Sequence, residues 1–500
     1  MSSRRDISVQ VTRDTKIRLV TEMTIDGAAV PGAGAPFTVH NPATGEVLGV
    51  IAGATTGQTE QAILAARRVF NDGTWSNLAL QERSAAMHRV FDVIEANRAE
   101  LVATIVAEVG TPITTAEAFQ FDIPLHVSRA FADLAAIDRT EHIGEHFYPV
   151  PSASLVGYRP VGVVGGISAY NYPLHLSMIK IFAAMAAGCP IVLTPSPRAP
   201  FATLLLGRLI AEAGIPAGLV NIVVSDDLAI PQMITTHPEI DKVSFTGSDA
   251  VGKIIMRQAS DTLKGVALEL GGKSANIIMP GTDLAALLPA VHMRYSRNAG
   301  QGCASPTRIL VHKSQADDFI ERSVSTWSAI KIGDPWDRET IVGPLIRPEH
   351  LARVSGYVDL ALSEGASVVA GGGKPDIEGG WWYNPTLIGS VENNMRIARE
   401  EVFGPVGAMI TYDTVDDAVR MANDSIYGLA GYVFGDDLDA AIAVGSRLQA
   451  GTVQINGGGG LRGDAPYGGF KQSGLGREFG EWGVREFLEP QHLQWALPTA

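Results

Sequence analysis

Apolar positions recur at helical spacing from about Gln58 to Arg139. The clearest stretch is Gln81 to Val109, where Met87, Val90, Phe91, Ile94 and Leu101 would share one helical face. Residues 1–56 before it read as a tail followed by strands and turns, with Asn41-Pro-Ala-Thr-Gly45 a turn by its Pro and Gly. From Glu141 to Arg159 the pattern becomes extended, with Phe147, Tyr148, Val150 and Leu155 set among Pro and Ser. Such an excursion predicts an arm that pairs with another segment or another subunit.

Beyond Val161 short apolar runs alternate with helical patterns. Strands are predicted at Val161–Ile167, Ile191–Leu193, Val220–Val224, Lys242–Phe245 and Gly265–Leu270. Helices are predicted at Pro173–Ala187, Ala202–Ala213, near Pro231–Thr235 and at Ala250–Ala259. That alternation implies βαβ units in a doubly wound parallel sheet, which binds nucleotides at the C-terminal ends of its strands. A second α/β pattern runs from about Gly271 to Gly460. Its predicted helices include Ala316–Ile330 and Glu349–Ser363, and its strands include Gly407–Tyr412 and Gly451–Ile455. Gly-rich loops, a short helix near Trp482–Phe487 and a tail close the chain.

Five hundred residues are too many for one ordinary core, so two or three domains are expected. A net charge of −14 argues against nucleic-acid partners and against anionic membrane surfaces. Two cysteines, Cys189 and Cys303, cannot build a disulfide framework, which points to a reducing compartment. Met1-Ser-Ser-Arg-Arg-Asp6 has no apolar run behind it, and Ile181–Leu193 is too short to span a bilayer. The chain reads as cytoplasmic.

The candidate chemistry gathers around Asn298-Ala-Gly-Gln-Gly-Cys303-Ala-Ser-Pro-Thr-Arg308. Small residues crowd Cys303 and leave room for a substrate beside its sulfur. Once deprotonated, such a thiol is a nucleophile; the plainer reading is a small core residue. Glu269 ends an apolar strand against Gly271 and Gly272, where burial would raise its pKa and make it a usable general base. Its plainer reading is an ion pair with Lys273. Asn171, in Ala169-Tyr-Asn-Tyr-Pro173, offers an amide to a developing oxyanion, or simply forms a turn before Pro173.

Other motifs lead nowhere. Gly247-Ser-Asp-Ala-Val-Gly252-Lys253 nearly matches a phosphate-binding loop, but Ile254 stands where Ser or Thr should hold Mg²⁺. What survives is a Gly-rich turn at a helix N-terminus, suited to a pyrophosphate. Gly474-Leu-Gly476-Arg-Glu-Phe-Gly480 has the wrong spacing for a dinucleotide fingerprint. Arg462-Gly463-Asp464 and the sequon at Asn423 read as loops. His142 and His146 read as a solvated face, and no metal site is expected.

Taken together, Tyr170-Asn-Tyr-Pro173, Phe245-Thr-Gly-Ser248, Leu268-Glu-Leu-Gly-Gly272, Gly300-Gln-Gly-Cys303, Glu400-Glu-Val-Phe-Gly-Pro405 and Pro466-Tyr-Gly-Gly-Phe-Lys471 resemble the aldehyde dehydrogenase superfamily. The resemblance runs from about residue 25 to 495. It implies an α/β fold with a Rossmann-like cofactor domain (1–140 and 160–270), an α/β catalytic domain (271–470) and a β-hairpin oligomerisation arm with tail (141–159 and 480–500). The arm would pair with the tail across a dimer that often doubles to a homotetramer.

The same resemblance implies the roles. Cys303 is the nucleophile, Glu269 activates water, and Asn171 with the Cys303 N–H forms the oxyanion hole. Lys180 supports the site. Ile167, Ser168, Thr194, Gly247, Ser248, Leu270, Glu401 and Phe403 contact NAD, with NADP an alternative. The implied reaction oxidises an aldehyde to an acid through a thioester that water hydrolyses. An acylating, coenzyme A-dependent enzyme and a non-enzymatic relative are the alternatives, and Glu269 argues against the first. Two departures stand out. Tyr170 replaces the usual Trp, and Thr194-Pro-Ser-Pro197 replaces Lys-Pro-Ser-Glu, which alters both adenosine-ribose contacts.

Overall fold

The structure is a computed structural model that describes residues 10–498. The long helical stretch predicted at Gln81–Val109 is two helices, Leu80–Ala96 and Arg98–Val109. Asn97 breaks it by donating its side-chain amide to the Val93 carbonyl, 2.8 Å, in competition with the helical ladder. Pro173–Ala187 begins on a proline and ends at Gly188 in the left-handed region, φ 94°. All its residues are buried, as its apolar circumference requires.

The first sheet has eight strands. Their order is Ala28–Val30, Met23–Ile25, Val220–Ile222, Ile191–Pro195, Val164–Ser168, Lys242–Thr246, Gly265–Glu269 and Gly474–Leu475. The five strands from Val220–Ile222 to Gly265–Glu269 are parallel, and antiparallel pairs close both sides. The edge strand Gly474–Leu475 pairs with Leu268 and Glu269, so the Gly-rich C-terminal run is structural.

The second sheet has seven strands. Their order is Ser367–Gly371, Thr386–Gly389, Val406–Tyr412, Arg308–His312, Ala275–Ile278, Ala430–Phe434 and Thr452–Ile455. The chain passes from the first sheet to the second through Leu270–Ser274, directly after Glu269.

Glu141–His146, Ser152–Pro160 and Leu488–Ala496 form a third, antiparallel sheet. The tail therefore pairs with the arm within one chain, in register from Leu488 opposite Pro160 to Ala496 opposite Ser152, rather than across a dimer. The cause is local: the Val161 N–H donates to the Phe487 carbonyl, 3.0 Å, which delivers the tail beside its partner.

No helix among the described residues is long and apolar enough to cross a membrane. His142 and His146 lie exposed on the arm, and among the described residues no group of metal-ligating side chains gathers.

Candidate active site

The loop that carries Cys303 is built on unusual backbone. After the helix Leu284–Ser296, Asn298, Ala299 and Gly300 all take positive φ, 52°, 53° and 71°. Two of them are not glycine, so tertiary contacts must hold the conformation. Asn298 accepts from the Thr111 hydroxyl, 2.7 Å, and donates to the Asn171 carbonyl, 2.9 Å. Gln120 donates to Thr111 at 2.8 Å and to the Asn171 carbonyl at 3.1 Å. The Asn171 amide in turn donates to the Gln301 carbonyl, 2.9 Å. This buried amide network locks the loop to the end of the first sheet. Gly300 has its own reason: a Cβ there would lie 2.1 Å from the Gly404 carbonyl.

Cys303 emerges from this loop half-buried, whereas Cys189 is fully buried, and both thiols are free. Cys303 Sγ stands 3.7 Å from the Tyr467 hydroxyl. Burial pushes its pKa up to about 12; the Tyr467 contact opposes that, and the charges of Glu401 and Glu269 add to it. The resting sulfur is therefore a protonated thiol.

Glu269 ends its strand only 6% exposed, and neither carboxyl oxygen has a hydrogen-bond partner. Burial, then repulsion from Glu478, holds its pKa well above the carboxylate range, while Lys180 and Arg477 pull it down. The expected alternative, a Glu269–Lys273 pair, is not formed: Lys273 Nζ has no partner, and burial lowers its pKa to about 7. Lys180 is tied down at 2.9 Å to Glu478 and 3.1 Å to the Ser244 hydroxyl. It reaches Glu269 by charge.

Six of the eight predicted cofactor residues sit at or just beyond the C-terminal ends of central strands, where doubly wound sheets bind nucleotides. Ile167, Ser168 and Thr194 end two neighbouring strands. Ser248 caps the helix Asp249–Ala259 by accepting from the Val251 N–H, 3.4 Å, and Gly247 makes the turn before it. Gly252, the second glycine of the near phosphate-loop match, is buried in that helix, where a Cβ would lie 2.8 Å from Leu270. Packing explains it without any phosphate.

Glu401 accepts from the Gly272 N–H, 3.0 Å, and burial raises its pKa to about 7. Phe403, at φ 62°, meets Tyr170 edge-on with ring centres 6.1 Å apart. The Thr246 hydroxyl is buried here without a partner. A capped helix terminus, an orphaned hydroxyl and a carboxylate held just past these strand ends fit a dinucleotide.

The model of the aldehyde dehydrogenase family matches residues 30–493. The chain belongs to the aldehyde dehydrogenase family. DhaS of Bacillus subtilis (strain 168), which carries the name aldehyde dehydrogenase, is 38% identical over 490 residues, 97% of either chain. Among solved structures, betaine aldehyde dehydrogenase of Staphylococcus aureus in complex with NAD⁺ superposes with a TM-score of 0.93 at 36% identity, covering 97% of this chain and 96% of that one. Aldehyde dehydrogenase C of Pseudomonas syringae, a variant in complex with NAD⁺ and octanal, gives 0.90 at 35%, covering 96% and 98%. Aldehyde oxidation is accordingly the reaction of this dehydrogenase.

Sequence reasoning missed several residues of this aldehyde dehydrogenase. Tyr467 lay within a quoted motif but had no role. Glu478 was hidden in a glycine run already set aside as a phosphate site. Asn298 opens the Cys303 stretch but had no role there, and Gln120 and Thr111 carry no local signal; only folding brings the three to Asn171.

Proposed function

We propose that this enzyme oxidises its aldehyde with NAD⁺ as the cofactor, using Cys303 as nucleophile and Glu269 as the base. The observation that carries the reading is a buried carboxyl with two unpartnered oxygens within electrostatic reach of a half-buried thiol. Cys303 gives its proton to solvent, and the thiolate attacks the aldehyde carbon. The adduct's oxyanion takes the second Asn171 N–H, left over from the bond to Gln301, and the Cys303 backbone N–H. Bound NAD⁺ supplies the acceptor for the hydride that leaves this carbon. A thioester remains on Cys303. Glu269 takes a proton from water, whose oxygen attacks the thioester and releases the acid.

Ile167, Ser168, Thr194, Gly247, Ser248, Leu270, Glu401 and Phe403 would hold the dinucleotide. NAD over NADP is favoured modestly, because Pro197 removes the acidic ribose contact and Arg198 is exposed. The cofactor and catalytic units would take the ranges given from the sequence, with Gly474–Leu475 joining the first. The exposed apolar side chains Ile143, Phe147, Tyr148 and Val150 on the arm support a homodimer or homotetramer. Two free thiols support a cytoplasmic setting.

The deciding experiment follows NADH formation and acid product with native enzyme and with Cys303→Ala. Turnover by the alanine variant would exclude covalent catalysis at this residue.

A further inference from the structure

Two arginines just ahead of Cys303 in the chain, Arg294 and Arg297, carry positive charge that no carboxylate balances among the described residues. Arg297 opens the segment Arg297–Gly300 leading to the nucleophile, and its guanidinium lies 3.7 Å from the centre of the Phe119 ring. Burial lowers its pKa, and the ionisable groups it feels are Tyr172, Arg294 and Tyr432. A guanidinium keeps its charge in such surroundings.

These neighbours link Arg297 to the loop that carries Cys303. Tyr172 follows Asn171 and lies within electrostatic reach of both Arg297 and Cys303. Tyr432 donates to the carbonyl of Ala304, the residue after Cys303, at 2.8 Å, and is in electrostatic reach of Cys303 and both arginines.

Arg294 is the second cation. It packs over Tyr432 at 5.6 Å and donates to the Gln454 amide oxygen at 2.9 Å and the Gly457 carbonyl at 2.8 Å, both neutral acceptors. Among the described residues neither arginine forms an ion pair; the Arg297 backbone N–H donates to the Met293 carbonyl, but its guanidinium donates no hydrogen bond. Partial burial of an unpaired cation is costly, and a ligand anion removes that cost.

We propose that the aldehyde substrate carries a second, anionic group, a carboxylate, and that Arg297 receives it. The inference rests on the reading of Cys303 given above. The guanidinium fork meets a carboxylate through two charge-assisted bonds. A quaternary ammonium aldehyde would instead meet two like charges. Two aromatic faces that could attract it, Phe119 and Tyr432, are already covered by Arg297 and Arg294.

The test measures kcat/KM of the NAD⁺-loaded enzyme on ω-carboxy aldehydes of two to six carbons. Each is paired with the neutral aldehyde of equal length, and betaine aldehyde serves as the cationic probe. At the best length the carboxylated member should exceed its neutral partner by about 10–100-fold, the range of a charged hydrogen bond. Betaine aldehyde should fall below the neutral series.

Arg297→Gln should lower the carboxylated-to-neutral ratio by about tenfold or more, chiefly through KM. Should that variant not fold, Arg297→Lys keeps the charge without the fork and should lower the ratio partway. Neutral aldehydes turned over as well as carboxylated ones at every length, or an unchanged ratio in the variant, would overturn the proposal while leaving the proposed reaction standing. No oxidation of any aldehyde would overturn both.

Discussion

Tyr467 and Glu478 exchange a pair of backbone hydrogen bonds, 2.8 and 2.6 Å long. One side chain faces the Cys303 thiol, and the other receives Lys180. A single rung of backbone thus ties the neighbour of Cys303 to the charges around Glu269.

That tie gives a pH prediction with two opposite signs. Glu478 raises the Glu269 pKa and Lys180 lowers it. A base works only when deprotonated, so activity is lost as pH falls through the Glu269 pKa. Glu478→Gln should move the acid limb of the kcat profile to lower pH, and Lys180→Met should move it to higher pH. Shifts of the same sign in both variants would exclude electrostatic control of Glu269 by this pair.

The thiol should be slow to alkylate. With its pKa near 12, the thiolate fraction in the cofactor-free enzyme should grow tenfold per pH unit throughout the neutral and mildly alkaline range. Tyr467→Phe removes a contact that lowers this pKa, so iodoacetamide labelling of Cys303, read by mass spectrometry, should slow about fivefold, the equivalent of a hydrogen bond of about 1 kcal/mol. Faster labelling would mean that the phenol shields the sulfur rather than stabilising its anion.

The two cysteines should separate cleanly. Cys303→Ala should abolish oxidation while leaving NAD⁺ binding in place. Cys189 is fully buried and donates to the Phe487 carbonyl, 3.4 Å. Cys189→Ala should therefore keep activity and lose about 1–2 kcal/mol of stability, seen as a lower Tm.

Glu269→Gln should slow deacylation more than hydride transfer. Stopped-flow absorbance should show a burst of NADH followed by slow turnover. Loss of the burst would assign Glu269 an earlier role, as the acceptor of the thiol proton.

Cofactor discrimination should be weak. Thr194 is buried at its strand end, Pro197 offers no carboxylate, and Arg198 is exposed. Loss of one charged hydrogen bond, about 1.5–3 kcal/mol, removes much of any preference for NAD. The kcat/KM ratio at fixed aldehyde should favour NAD by well under about a thousandfold, roughly 4 kcal/mol at about 1.36 kcal/mol per decade. A larger ratio would require an acidic contact from elsewhere in the crevice.

What the sequence disclosed was what local chemistry writes. The helix Pro173–Ala187 was bounded by its proline and the following Gly188, and the parallel strands by their apolar runs. Cys303, Glu269 and Asn171 stand out as candidates because each lies in a motif. The break at Asn97 was not legible, since a side chain competing for one carbonyl leaves no mark on periodicity. The pairing of the tail with Ser152–Pro160 depended on where Phe487 is anchored. Lys180 and Glu478 are 298 positions apart, and their 2.9 Å contact exists only once both sheets are built. The near phosphate-loop match misled in one respect: Gly252 serves Leu270, a demand of packing that resembles a demand of phosphate.

The edge strand Gly474–Leu475 closes the first sheet against Leu268 and Glu269, and Leu488–Ala496 closes the arm. Both belong to the end of the chain. During synthesis the strand bearing the base therefore waits with one edge unpaired while the whole second sheet is made. Backbone donors on that edge are a template for foreign strands until residue 475 arrives. A ribosome that stalls near residue 470 would release a chain holding Cys303, Glu269 and Asn171, yet with its active-site sheet open to aggregation.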